Sequence, residues 1–404
     1  MRLAIVLMGG GARAAYQAGV LKGLAEIARE VRPGLASIPF SIICGTSAGA
    51  INATALGVYA DDFSYGARRI EEVWGAFHVP QVYRSDWPGV IASGARWLSA
   101  LTFGWAVRRS PRALLDNTPL AELLREQIDF ARLVPMLKSR YLHAVAVTAL
   151  SYSSGQHLTF YQADQPMEAW RRAQRAARPV YLGPEHLLAS SAIPLMFQAV
   201  PLPFDGRIEY FGDGAIRQVA PLSPAIHFGA QKILVIGAAA PNPEVPIETG
   251  QTPSYPSLAQ IGQQVMASIF LDSLGADIER IRHVNQIVHN LPRAVDADSG
   301  WRAVEVEAIA PSERIELIAA RHLHRLPLAI RGLLGAVGAD RARGAAFASY
   351  LLFEADYTRE LIALGYRDAM ERRETLSAFV AAAENGGAQP GPKRPAEAGT
   401  ARPA

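Results

Sequence analysis

The first sixty residues alternate between two apolar patterns. Residues 3–8, "LAIVLM", are an unbroken aliphatic run, the pattern of a strand buried on both faces. Residues 14–30 then space Tyr16, Val20, Leu21, Leu24 and Ile27 along one helical stripe. "FSIIC", residues 40–44, predicts a second buried strand. Residues 48–59, "AGAINATALGVY", are apolar nearly all round and predict a buried helix. Strand, helix, strand, helix implies parallel strands with right-handed crossovers, and so an α/β sheet covered by helices on both faces.

The middle of the chain is more helical. Residues 63–77 have helical spacing, and Asn117 or Thr118 is placed to cap a further helix, with Pro119 in its first turn and Glu122 behind it. "YLHAVAVTAL" (141–150) and "HLTFYQ" (157–162) flank "SYSSGQ" and predict two strands joined by a turn. "RIEYFGDGAI" (207–216) predicts a strand ending in a Gly-Asp-Gly turn, and "KILVIGAAA" (232–240) a further buried strand. "VNQIVHNL" (284–291) and "AVEVEAIAP" (303–311) read as two more strands. From 312 to 383 the pattern is mostly helical, broken at Pro327 and at glycines. Residues 385–404 hold no aliphatic side chain larger than alanine, so apolar burial cannot offset their ordering entropy, and a disordered tail is expected. The expected organisation is an α/β hydrolase-type domain over 1–310, a helical C-terminal extension packed on it over 311–384, and the tail. No internal repeat is evident.

Composition narrows the function. The chain has 404 residues, half of them hydrophobic, with 40 basic against 37 acidic side chains. Lys393, Arg394 and Arg402 against Glu397 put +2 of the net +3 in the tail, leaving the body at 3 − 2 = +1. A nearly neutral body argues against nucleic-acid binding, which needs a clustered basic face. Cys44, the single cysteine, allows no intramolecular disulfide and reads as a small buried hydrophobe. "MRLAIVLMGGGARAA" mimics an export signal, but the run Leu3 to Met8 is shorter than such a signal wants, and three glycines and an arginine follow. The reading is a first buried strand of a cytoplasmic protein. No run of about 18 apolar residues predicts a membrane span, so any lipid contact would be peripheral, at the inner membrane face. Residues 86–109 suit that contact. Trp87, Val90, Ile91, Leu98, Leu101 and Trp105 recur at helical spacing, with Trp97 and Phe103 off the stripe and Arg108, Arg109 and Arg112 following. An interfacial helix or a lid over an acyl pocket competes there with a helix packed on the core or on another subunit. The oligomeric state stays open.

Three short stretches carry candidate chemistry. Gly45-x-Ser47-x-Gly49 falls where a strand hands over to a helix, the setting a nucleophile elbow needs. There the glycines allow close neighbours and the helix N-terminus favours negative charge. Gly9, Gly10 and Gly11, followed by Ala12 and Arg13, end the first strand, and their amides are placed to bind an anion such as an acyl-transfer oxyanion. Gly9-x-Gly11-x-x-Ala14 also approaches a dinucleotide fingerprint. That reading wants an acid at the end of the second strand, which instead ends Cys44-Gly45-Thr46-Ser47, and Glu30 precedes that strand. The third stretch is Asp213-Gly214-Ala215, with Gly212 before it: a turn suited to aiming a carboxylate inward, or to an Asx turn. The histidines (78, 143, 157, 186, 227, 283, 289, 322 and 324) include none in a glycine-flanked turn after a strand. His322 and His324 look like solvated surface, and His227 falls on the helix after Ala215.

The ordered set GGGxR, GxSxG and DGA resembles the patatin-like phospholipase family, as does "LASSAIPLMFQAVPL" (188–202) with its A-S-x-A-I-P-x-x-F pattern. The resemblance covers roughly residues 3–240. It implies a three-layer α/β/α fold with a mostly parallel central sheet, and a lipid ester as substrate. Ser47 would be nucleophile and Asp213 its base in a Ser–Asp dyad without catalytic histidine. The amides of Gly9, Gly10, Gly11 and Ala12 would form the oxyanion hole, with Arg13 anchoring that loop. No metal or cofactor is implied. Ala14 departs from the family's usual final glycine. The helices past 310 fall outside the shared core and receive no chemistry. The alternatives are a triad-type α/β-hydrolase with an unrecognised histidine, and a non-catalytic lipid-binding protein of the same fold.

Overall fold

The computed structural model describes residues 1–84, 113–167, 170–237, 264, 272–290, 302–336 and 345–383. The expectations for 86–109 and for the tail lie outside these residues.

Among the described residues, ten strands form one sheet: β1 (Leu3–Leu7), β2 (Ile42–Thr46), β3 (Ala144–Ser151), β4 (His157–Ala163), β5 (Arg171–Arg172), β6 (Arg175–Pro179), β7 (Val200–Phe204), β8 (Arg207–Asp213), β9 (Lys232–Ile236) and β10 (Glu305–Ile309). Their order is β10-β9-β1-β2-β3-β4-β6-β5, with β8 joined to β3 and β7 to β8. Every pairing from β10 to β3 is parallel, whereas β4 and β8 both run antiparallel to β3.

The sheet is covered on both faces, as continuous apolar runs require. In β1, Leu3, Ile5 and Leu7 enter one core, and Ala4 and Val6 enter the other. The first core is built with α1 (Ala15–Val31), α2 (Ala48–Gly57), α3 (Phe63–Gly75), α4 (Thr118–Gln127), α5 (Leu133–Lys138) and α6 (Pro184–Ser190). The second is closed by α7 (Ser223–His227) and α8 (Asp272–Asn290), through Ala225, Phe228 and Ile281. The C-terminal helices are α9 (Ile315–His322), α10 (Leu328–Ala336), α11 (Ala345–Ala348), α12 (Ala355–Glu371) and α13 (Arg373–Ala381). Ile318, Ile330, Leu361 and Leu376 from these helices sit in the first core beside Leu24 and Phe40. Among the described residues, no helix is long and apolar enough to cross a membrane.

Two local expectations are corrected. Residues 284–290, read as a strand, are the second half of α8. Burial recurs at Ile281, Val284, Asn285 and Val288, a helical spacing that a window opening at 284 truncates. At α4, the Asn117 side chain makes no cap bond. Asp116 Oδ1 does that work, accepting from the Thr118 amide at 2.9 Å and the Thr118 hydroxyl at 2.6 Å.

Candidate active site

The register of β3 explains how residues 166 positions apart meet. Ile42–Thr46 of β2 pair with Ala144–Thr148 of β3, and Asp213, Gly212 and Phe211 of β8 pair with Ala149, Leu150 and Ser151. The ascending β2 and descending β8 therefore share one lane beside β3 and abut end to end. Ser47 is the residue after β2, and Asp213 is the last of β8. Ser47 Oγ donates to Asp213 Oδ2 at 2.6 Å.

Ser47 sits at φ 56°, ψ −133°, a conformation that costs a non-glycine residue about 1–3 kcal/mol and persists only under constraint. The constraint comes largely from Ser190, at the end of α6. Its hydroxyl accepts from the Ser47 amide at 2.9 Å and donates to Thr148 O at 2.7 Å, while its carbonyl accepts from the Gly214 amide at 3.1 Å. One serine thus ties the elbow, β3 and the Asp213 turn together. Gln218 Nε2 adds a bond to Thr46 Oγ1 at 2.8 Å. After the elbow, α2 passes so close to β1 that a Cβ on Gly49 would lie 2.2 Å from Leu7 O.

Asp213 is fully buried. Its two oxygens divide the two roles considered from the sequence. Oδ1 accepts from the Ala215 amide at 2.8 Å, closing an Asx turn, and Oδ2 takes the Ser47 hydroxyl. Burial pushes the carboxyl up to about 7, against the lowering effect of those two hydrogen bonds.

Among the described residues, no histidine bonds to Ser47 or to the Asp213 carboxylate. His157, at the start of β4, bonds the turn after Asp213: Nε2 lies 2.6 Å from Gly214 O, so that nitrogen carries the proton. Burial holds its ring neutral, lowering its pKa to about 4. His227 stacks on Trp170 at 4.5 Å. His322 is no solvated surface residue. It is partly buried and bonds Glu360 Oε2 at 2.6 Å, because α12 packs beside α9, whereas His324 is exposed.

The glycine loop follows β1. Gly11 adopts φ +55°, and a Cβ there would lie 2.3 Å from Tyr350 O. The Ala12 amide donates to Tyr350 O at 3.0 Å, so it is not free for an oxyanion, contrary to the sequence-based expectation. Among the described residues, nothing accepts from the amides of Gly9, Gly10 or Gly11. Arg13, 2 % exposed, turns away from the cavity. Nε donates to Ser349 Oγ at 2.7 Å, Nη2 reaches Ala346 O at 3.1 Å and Glu316 Oε1 at 3.0 Å, and the guanidinium lies 4.1 Å from the Tyr350 ring centre. On the other side, Gln17 Nε2 donates to Met8 O at 2.7 Å, and Asn52 Nδ2 to Ala14 O at 3.2 Å.

Ser47 and Gly11 open onto a narrow cavity of about 70 Å³. Ile51, Ala55, Val73, Leu124, Phe197 and Phe353 line it, a surface suited to an alkyl chain. Among the described residues, no cluster of three or more His, Cys, Asp or Glu could hold a metal ion.

A doubly covered, mostly parallel sheet that sets a glycine-flanked serine against a buried carboxylate defines a class, and the comparisons place the chain within it. It belongs to the patatin-like phospholipase family, whose model matches residues 5–226. The family acts on lipids, and its general activity is lipid acyl hydrolysis. Among solved structures, VipD from Legionella pneumophila aligns over 88% of this chain and 91% of its own, at 12% identity and a TM-score of 0.30. A likeness of that size assigns no residue. No curated protein sequence matches the chain.

Sequence reasoning missed several supporting residues, among them Glu316 and Ser349, which hold Arg13. Ser190 lay inside the recognised A-S-x-A-I-P block, so its signal was present but unassigned. His157, Gln218 and Tyr350 act through backbone groups or other side chains across the fold, and nothing in their local sequence marks them.

Proposed function

We propose that the protein hydrolyses carboxylic esters of phospholipids or lysophospholipids through an acyl-enzyme, with Ser47 as nucleophile and Asp213 as its base. The single observation that carries the reading is the 2.6 Å bond from Ser47 Oγ to Asp213 Oδ2, made at a constrained elbow on the wall of an apolar cavity.

In the first step Ser47 Oγ attacks the ester carbonyl carbon as its proton passes to Asp213 Oδ2. The carbonyl electron pair moves onto oxygen, which the amides of Gly10 and Gly11 receive. Collapse restores the carbonyl and breaks the bond to the alkoxy oxygen, which takes the proton from Asp213 and leaves as an alcohol or lysolipid. Water then attacks the acyl-enzyme and gives a proton to Asp213. The second intermediate expels Ser47 Oγ, which recovers that proton, and a fatty acid is released. A carboxyl near 7 suits both halves, accepting a proton from serine or water and returning it to a leaving oxygen.

The test pairs covalent labelling with turnover. A fluorophosphonate should label the wild type at one residue and fail to label Ser47→Ala. Asp213→Asn should lose hydrolysis of mixed phosphatidylcholine and lysophosphatidylcholine by about 10³-fold or more. His157→Gln should keep activity within about ten-fold, since its ring bonds the Gly214 carbonyl and, among the described residues, neither Ser47 nor the Asp213 carboxylate. Persistent labelling of Ser47→Ala, or a strict need for His157 with Asp213 dispensable, would reject the dyad.

A further inference from the structure

The family-matched segment ends at residue 226, yet the back of the glycine loop is built from Glu316, Ala346, Ser349 and Tyr350. Three contacts act on consecutive loop residues. At Gly11, Tyr350 O occupies the space a side chain would need, so the loop packs directly on that carbonyl. At Ala12, the amide is bonded to the same oxygen at 3.0 Å. At Arg13, the guanidinium is held by Ser349 Oγ, Ala346 O, Glu316 Oε1 and the Tyr350 ring. The segment is itself clamped. Tyr83 OH donates to Leu351 O at 2.9 Å, Tyr357 OH to Ser349 O at 3.3 Å, and Phe353 lines the cavity.

The consequence is directional. Engaging the Ala12 amide from behind fixes the plane of the Gly11–Ala12 peptide. Pulling Arg13 toward α9 and α11 fixes the next one. The neighbouring Gly10 and Gly11 amides are then left with their orientation set and, among the described residues, no internal acceptor. We propose that Glu316, Ser349 and Tyr350 are positioning residues for the oxyanion: the C-terminal segment aims the Gly10 and Gly11 amides through Ala12 and Arg13. The inference rests on the hydrolase reading above. A displacement of about 1 Å in such donors is enough to cost about 100-fold in rate.

The experiment uses the full chain with Glu316→Gln, Glu316→Asp and Ser349→Ala. Active sites are counted by fluorophosphonate titration, so that misfolded protein drops out. Turnover per titrated site is measured on a p-nitrophenyl ester, beside the inhibition constant of an alkyl trifluoromethyl ketone, which forms a tetrahedral oxyanion on the serine. Glu316→Gln and Ser349→Ala should each lower kcat per site by about ten-fold with KM within about two-fold, because the loss is confined to the transition state. The ketone should weaken by the same factor, and Glu316→Asp should recover part of both. Variants that match the wild type in per-site kcat and ketone affinity, with only fewer titratable sites or a lower Tm, would reduce the segment to a structural support and overturn the proposal. A wild type that neither labels nor turns over would remove the hydrolase reading and this inference together, so the two failures are distinguishable.

Discussion

Asp213 is the residue on which pH should act. Its carboxyl is raised to about 7 by burial, and in the proposed dyad it would serve as base only when ionised. The kcat/KM of the free enzyme should therefore rise about ten-fold per pH unit below that value and level off above it. The stability effect has the opposite sense. A carboxyl whose folded pKa exceeds its unfolded value binds more protons when folded between about 4 and 7. Its stabilisation is complete below pH 4 and lost as pH rises through 7, a swing of about 4 kcal/mol. His157 works the other way. Its folded pKa is lowered to about 4, so its contribution is present above 6.5 and lost as pH falls through 4. The two partly cancel in the wild type. Asp213→Asn removes one and should expose the other. Denaturant titrations from pH 4 to 8 should show the wild type losing stability relative to Asp213→Asn as pH rises. Parallel curves across that range would mean that Asp213 keeps an ordinary carboxylate pKa despite its burial.

At the scale of elements, the site is a meeting of strand ends, and Ser190 is the bracket that holds it. Ser190→Ala would leave the Ser47 amide without its acceptor inside a fully buried turn and free the elbow to relax from its strained backbone angles. The expected result is a loss of about 1–3 kcal/mol in stability and a fall in kcat beyond what the loss of folded protein explains. Ser190→Thr, which keeps the hydroxyl, should recover part of both. Unchanged kcat per titrated site in Ser190→Ala would show that the elbow holds itself. This bracket also marks how far the sequence was readable. The turns at Ser47 and Asp213 were legible because turn chemistry is local: glycines stand on both sides of each, and a strand-like segment precedes each. Parallel strands β1, β2 and β9 were legible because burial on both faces leaves an unbroken aliphatic run. β7 was not, since "VPLPF" carries prolines at alternate positions and reads as a non-strand, although β8 pairs with it along its whole length. The head-to-head lane of β2 and β8 was out of reach for a different reason. It depends on the register of a third strand, which no local pattern specifies.

The sequence suggested a domain over 1–310 with a helical extension over 311–384 packed on it, and buried side chains of those C-terminal helices enter the first core. Leu361 of α12 and Leu376 of α13 are buried in the same cluster as Leu24 of α1 and Phe40. Tyr16 OH, on α1, donates to Asp368 Oδ2 on α12 at 2.9 Å, and Ser312 donates to the same carboxylate through its amide and hydroxyl. A carboxylate that gathers partners from both ends of the chain at one buried point leaves no plane along which the helices could part without exposing it. Melting should therefore be one cooperative transition, with the calorimetric and van't Hoff enthalpies equal over the described fold. Leu361→Ala, at a fully buried position, should lower that transition as a whole by about 2–5 kcal/mol, with the near-ultraviolet signal and fluorophosphonate labelling lost together. A variant in which the C-terminal helices melt first, while Ser47 still labels at the wild-type rate, would show a separable extension. It would also contradict the idea that Tyr350 aims the loop, since that carbonyl travels with those helices. The stability experiment and the catalytic one therefore constrain each other: a loop held in shape by the far end of the chain requires that end to stay folded for as long as the serine stays reactive.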